Sequence, residues 1–113
     1  MVHPLPHWTR ARTRGPLHGI EEMVRRLTSA NAEAIGLYDR GRIAAGMRAD
    51  INIVDYEALQ LQVPEVCYDL PAEGKRLLQR SAGFDATIVA GVSTWRHGEA
   101  TGALPGRLLR SGR

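Results

Sequence analysis

The sequence predicts a small α+β protein in which two helices near the amino terminus precede a small, mainly antiparallel β domain. Three observations support this class. Apolar residues recur at helical spacing over 20–27, glycines and β-branched residues become frequent after Gly36, and two runs of strand-forming residues flank Ala90-Gly91. We therefore expect a helical segment over residues 1–37 and a β domain over residues 38–113.

The amino-terminal segment is predicted to be irregular. Residues 1–15 show neither a helical nor a strand period, and Pro4 and Pro6 break regular structure. The same prolines stand between His3 and His7, so we do not expect these histidines to form an i,i+4 pair of metal ligands on a helix.

The first helix is predicted directly after Gly19. Its apolar stripe consists of Ile20, Met23, Val24 and Leu27. Glu21 and Glu22 lie in the first turn and Arg25 and Arg26 lie one turn later, which suits the helix dipole. This spacing also predicts two Glu-to-Arg pairs at i,i+4, so we interpret these charges as a solvated helix face.

A second short helix is expected after a break at Thr28–Ser29. Either Thr28 or Ser29 can cap it, and small residues with Ile35 can pack along it. Gly36 stands where a left-handed residue ends a helix, and Leu37 follows as its apolar partner.

The β region begins with a strand at Ile51–Val54. Because this run is almost continuously apolar, we expect both of its faces to be covered. Asp55 is predicted to begin a polar turn or a single helical turn through Leu59. Residues 60–74 are interpreted as a long connection held extended by prolines. For Leu77-Leu78 the sequence leaves a strand and a helical turn open.

Two turns complete the predicted β region. The residues 86–89 and 92–95 are joined by Ala90-Gly91, which is typical of a tight β-hairpin. A further turn is expected at His97-Gly98-Glu99. The tail over 104–110 is predicted to lie over the surface.

Composition and charge argue against membrane, secreted and nucleic-acid-binding proteins. The chain has 113 residues, 43% hydrophobic and 24% charged, and no apolar run approaches the ~20 residues that span a bilayer, so we expect no membrane partner. The lack of a signal-peptide core and the lone Cys67 predict a cytoplasmic protein. Arginines gather at both ends of a chain of net charge +3, but no nucleic-acid motif accompanies them, so we favour an ordinary basic surface over nucleic-acid binding.

A search for catalytic motifs gives no candidate. The four histidines form neither a His-x-His pair nor a His-Glu-x-x-His motif, and the single cysteine excludes a Cys-x-x-Cys site. No Gly-x-Ser-x-Gly elbow or phosphate-binding loop occurs. Turn and cap duties explain the carboxylates that stand at strand or loop ends, which are Asp50, Asp55, Asp69 and Asp85. We therefore predict no catalytic, cofactor-binding or metal-binding residue in this chain.

The most specific stretch runs from Asp39 to Asp55. It combines the glycine-bracketed turn Gly41–Gly46 with Ala49-Asp50 and an apolar strand. Two further blocks flank this stretch in a fixed order. The first holds residues 7–15 and the helix 20–28, and the second holds residues 69–71, 86–89 with Gly91, and 98–102 with 105–107, while Gly36-Leu37 belongs with the middle stretch. This ordered set resembles the carboxyl-terminal region of the amidohydrolase superfamily, in particular amidohydrolase family 3, which includes the N-acyl-D-amino-acid deacylases.

The resemblance implies a larger enzyme around this chain. Family members are several times longer and carry their metal ligands on a (β/α)₈ barrel, with a small β domain built from both chain ends. By resemblance, residues 1–37 correspond to the last barrel helices and residues 38–113 to the composite β domain, as part of a β-sandwich. The barrel's ligands would all precede Met1, and Ala45 stands where the family commonly has proline. Zinc or a similar divalent metal is therefore implied for the intact enzyme and none for this chain.

The resemblance also predicts unpartnered surfaces. The strand Ile51–Val54 and the helical stripe of residues 20–27 would normally pack against chain that precedes Met1. We therefore expect a marginally stable domain or an oligomer, and the partner would be a second copy or a separate barrel-encoding chain. Two other functions remain open, namely a non-enzymatic module that binds a partner by strand addition and weak nucleic-acid binding through the arginine-rich ends.

Overall fold

The computed structural model describes residues 4–109, in which short helices precede short strands. The helices are α1 (Pro4–Pro6), which continues as a π-helical turn (His7–Ala11), α2 (Ile20–Leu27) and α3 (Ser29–Ala34). The strands are β1 (Ile51–Val54), β2 (Gln60–Leu61), β3 (Glu65–Leu70), β4 (Gly74–Leu78), β5 (Ser81–Ala82), β6 (Phe84–Val89), β7 (Val92–Arg96) and β8 (Glu99–Ala100). The predicted α+β class is confirmed. Within the described residues, no helix is long and apolar enough to span a bilayer.

The strands form three antiparallel sheets. The largest has the order β1-β6-β7-β8, and two smaller sheets pair β2 with β5 and β3 with β4. The predicted hairpin at Ala90-Gly91 is confirmed, with positive φ angles of 50° and 80° at its two turn residues. The turn at His97-Gly98 is confirmed as well and joins β7 to β8. Both turns use the left-handed backbone that suits two-residue hairpin loops.

The prediction of an irregular amino terminus is wrong for residues 4–11, which are helical. Pro6 lies in the first turn, where a missing N–H removes no intrahelical hydrogen bond, so proline is tolerated there. Thr9 fixes this segment because its hydroxyl donates to the Leu5 carbonyl at 2.7 Å. His3, the other member of the excluded histidine pair, lies outside the described residues.

The predicted break between two helices is confirmed at Thr28 (φ −120°, ψ −90°). Its predicted side-chain cap is wrong, since the Thr28 hydroxyl donates backward to the Val24 carbonyl at 2.7 Å. The predicted end at Gly36 is confirmed. Gly36 has φ +76°, and the Leu37 N–H donates to the Ala32 carbonyl at 2.8 Å.

The two predicted Glu-to-Arg pairs converge on one carboxylate. Glu22 accepts from Arg25 at 2.8 Å and from Arg26 at 2.6 Å, so the pairs are i,i+3 and i,i+4. Hydrogen bonds from these two guanidinium groups lower the pKa of Glu22 to about 2. Both ion pairs are exposed, so this face of α2 is solvated, as the sequence predicted.

The interpretation of residues 60–74 as a long connection is wrong, because β2 and β3 lie within it. Glu65–Leu70 alternates polar and apolar side chains, which is a strand pattern, and Pro64 and Pro71 stand just outside its two ends, where they remove no ladder hydrogen bond. Leu77 and Leu78, for which a strand and a helical turn were open, belong to β4.

Strand β1 has the predicted bounds, but the expectation that both of its faces are covered is wrong. Within the described residues it is an edge strand that pairs only with β6, and Ile53 is half exposed. Within residues 4–109 the buried hydrophobic side chains are Met23, Ala32 and Leu59. The accessible surface of the chain is 8849 Å². A compact protein of 12.4 kDa exposes about 6,100 Å², so this chain carries about 2,700 Å² more.

The tip of the β3–β4 hairpin provides a test of local strain. Ala72 and Glu73 have φ angles of 56° and 54°, a left-handed backbone that costs a side-chain-bearing residue about 1 kcal/mol or more. Glu73→Gly removes the strain at position 73 and leaves that at Ala72, and we expect it to stabilise the hairpin by about 0.5–1 kcal/mol after the entropy of glycine is counted. Hydrogen exchange of the hairpin amides should slow about two- to fivefold.

Glu73→Ala is the matched control, since it removes the same carboxylate and keeps the strained backbone. Equal exchange rates in Glu73→Gly and Glu73→Ala would contradict this account of the tip.

Candidate functional site

The loop from Asp39 to Asp50, the motif loop, is held closely against the helices. The Arg48 N–H donates to the Asp39 carbonyl at 2.7 Å and closes the loop on itself. Gly41 has φ +85°, and a Cβ at this position would lie 2.9 Å from the Cα of Ser29. Only glycine fits this approach, because the backbone angle and the distance both exclude a side chain.

Asp50 joins the motif loop to the β6–β7 turn. Its carboxylate accepts the Ala90 N–H at 2.8 Å and the Arg48 guanidinium at 2.9 Å, and Arg40 lies 3.4 Å away. Beside it, the Gly91 N–H donates to the Ala49 carbonyl at 2.9 Å. The carboxylate therefore fixes a strained turn residue and two arginines at one point, which we call the Asp50 clasp.

The surroundings of Asp50 determine its charge. Burial by itself would raise the pKa of Asp50, but the Ala90 N–H and Arg48, with Arg40 further away, outweigh it and leave the pKa below its ordinary value. The Asp39 carboxylate accepts from Arg40, which lowers the pKa of Asp39 too. Both carboxylates are thus ionised ion-pair partners, as structural carboxylates are.

Arg10 ties the amino-terminal helix to the turn after β1. Its guanidinium donates to the carbonyls of Tyr56 at 2.7 Å, Glu57 at 3.3 Å and Leu59, and lies 4.9 Å from the centre of the Tyr56 ring. The Thr9 and Tyr56 hydroxyls share a hydrogen bond of 2.5 Å. Leu59, whose carbonyl accepts from Arg10, has the most buried large side chain of the described residues.

Arg12 has a similar internal contact. Its guanidinium lies 4.4 Å from the centre of the Trp8 ring and donates to the Pro16 carbonyl at 3.2 Å. Sequence reasoning grouped Arg10 and Arg12 as part of a basic end. No spacing rule could show that they fold back, since their acceptors are backbone carbonyls and aromatic faces.

The Asp55 prediction is confirmed. Its carboxylate accepts the N–H groups of Glu57 at 3.0 Å and Ala58 at 3.2 Å, which forms the predicted turn. The turn lies in close backbone contact with Gly83, where a Cβ would be 2.6 Å from the Cα of Leu59. Close backbone contact therefore seats Leu59 in the core.

A cleft of about 420 Å³ lies between helix α2 and the edge strand β1. Its apolar lining consists of Leu5, Val24, Leu27, Ile43, Ile51, Val54, Leu59 and Phe84. Asp50, Asn52, Arg42 and Thr28 supply polar groups at its border. These polar groups bond within the chain, since the Asn52 amide oxygen accepts from Thr87 and Arg42 pairs with Glu33. The cleft therefore offers apolar surface beside a strand edge with which no other described strand pairs.

The remaining predicted positions do not converge on a centre. His7 and His18 lie beside the Trp8 ring, with ring centroids 5.3 and 5.8 Å away, and His97 lies on its turn 3.9 Å from Asp85. Asp69 pairs with Arg76 across the β3–β4 hairpin. Over residues 4–109 no group of three or more His, Cys, Asp or Glu side chains is arranged to hold a metal ion.

The Asp50 clasp generates a prediction with a pH signature. Asp50→Ala leaves the Ala90 N–H without its acceptor, so we expect a loss of about 1–3 kcal/mol in unfolding free energy. Asp50→Asn keeps an acceptor oxygen and should cost less. Because the folded pKa lies below the unfolded one, this stability is present above the unfolded pKa and is lost as pH falls through the folded value.

Urea titrations followed by circular dichroism, repeated between pH 5 and pH 2, measure this effect. Both Asp50 variants should lose stability more gradually in acid than the wild type does, whereas the exposed Glu99→Gln should keep the wild-type profile. A wild-type acid profile in Asp50→Ala would show that the clasp does not stabilise the fold.

The Arg10 contact generates a second prediction. Lysine cannot reproduce a planar fork that reaches three carbonyls and stacks on a ring, so Arg10→Lys should lower the unfolding free energy by about 1–2 kcal/mol. Arg14→Lys is the control, because it makes the same arginine-to-lysine replacement at an exposed position. It should leave the thermal midpoint unchanged. Equal midpoints for Arg10→Lys and Arg14→Lys would contradict the role of Arg10.

Comparisons with known proteins identify the family. A model of the amidohydrolase family matches residues 4–101, and an allantoinase from Streptomyces avermitilis is 30% identical over 94 residues. That match covers 81% of this chain and 19% of the allantoinase, so the chain spans about a fifth of that relative's length. No solved structure matches the chain significantly. Since the family model covers most of the sequence, including the motif loop and the Asp50 clasp, the chain belongs to the amidohydrolase family.

Proposed function

We propose that this chain is the carboxyl-terminal, structural part of a metal-dependent amidohydrolase that hydrolyses non-peptide carbon–nitrogen bonds, of the N-acyl-D-amino-acid deacylase type. The hydrolase class rests on the family match. The substrate class rests on the resemblance of the three sequence blocks to deacylases. We place the protein in the cytoplasm because of its composition and its lone cysteine.

The structural role is supported by the hydrogen bonds that the motif residues make within the chain. Asp50 accepts hydrogen bonds from a backbone N–H and two arginines. Asp55 accepts a backbone N–H in its turn, and Arg10 donates to backbone carbonyls. A general acid or base needs a proton-transfer atom within reach of a substrate and a pKa near the working pH. The lowered pKa and internal partners of Asp50 instead suit a fold contact.

The cleft supports a partner that carries the catalytic machinery. Its apolar lining lies between α2, which is expected to pack on barrel strands, and the edge of β1, which is expected to be covered by amino-terminal strands of the same enzyme. We propose that barrel-encoding chain covers this cleft, either in the same polypeptide or as a separate subunit. By resemblance, zinc or a similar divalent metal bound to that barrel activates water.

The free edge of β1 also favours a second candidate, a non-enzymatic module that binds an extended peptide by strand addition. Such binding needs unpaired backbone groups beside pockets for alternate side chains, and β1 borders a cleft of this kind. The two candidates differ in the partner, because only the first requires an amidohydrolase barrel.

The proposal predicts that the purified chain does not hydrolyse N-acetyl-D-amino acids with or without zinc. The DNA upstream of Met1 should encode a barrel with a metal-binding His-x-His, and that product, expressed separately, should be retained by the tagged chain. Val24→Lys places a charge in the cleft and should reduce retention at least tenfold, whereas Leu104→Lys, at a leucine outside the cleft that is 95% exposed, should not.

Metal-dependent turnover by the 113-residue chain alone would overturn the structural role. Retention of a peptide partner without any barrel product would favour the strand-addition module instead.

A further inference from the structure

We draw no further inference here: the strongest candidate, the exposed apolar face of the β3–β4 hairpin formed by Val66, Tyr68 and Leu77, carries no proposal because nothing in the structure shows what covers it.

Discussion

The fold depends most on the Asp50 clasp, a single carboxylate that connects parts of the chain forty positions apart. Strand β1 starts at the residue after Asp50, and the β6–β7 turn is fixed by the bond from Ala90 to that carboxylate. Ala90 is a poor residue for a left-handed turn, so the hairpin benefits from an acceptor that holds its N–H. The glycine-bracketed loop before Asp50 positions this carboxylate, and the family match includes the whole loop.

The Arg10 contact does the corresponding work for the helical part. The arginine crosses from the amino-terminal helix to the turn that contains Leu59, and it donates to the backbone carbonyls of that turn. With a core of few buried side chains, polar contacts of this kind determine how the helices sit on the sheet. Such contacts depend on geometry and are less tolerant of substitution than apolar packing is.

Local patterns predicted much of this fold. The α2 stripe, the helix end at Gly36, the strand Ile51–Val54 and the Ala90-Gly91 hairpin all follow from spacing and turn chemistry, because their causes lie within a few residues. The errors have two sources. Prolines were read as breakers at 4–6 and around β3, although a helix start and a strand end both tolerate them. Contacts between residues distant in sequence leave no local pattern. The coverage of β1, the acceptors of Arg10 and the donors to Asp50 could therefore be found only in three dimensions.

The pairing of β1 with β6 has a consequence for how the chain folds. Ile51 lies opposite Ile88, so the first strand of the main sheet must wait for a strand that follows it by more than thirty residues. Local hairpins close within microseconds, but a long loop must be closed before its contacts repay the lost entropy. On the ribosome, which adds about 5–20 residues each second, β1 therefore stays unpaired for seconds after it is made. During that interval its apolar edge is exposed to chaperones and to aggregation alike.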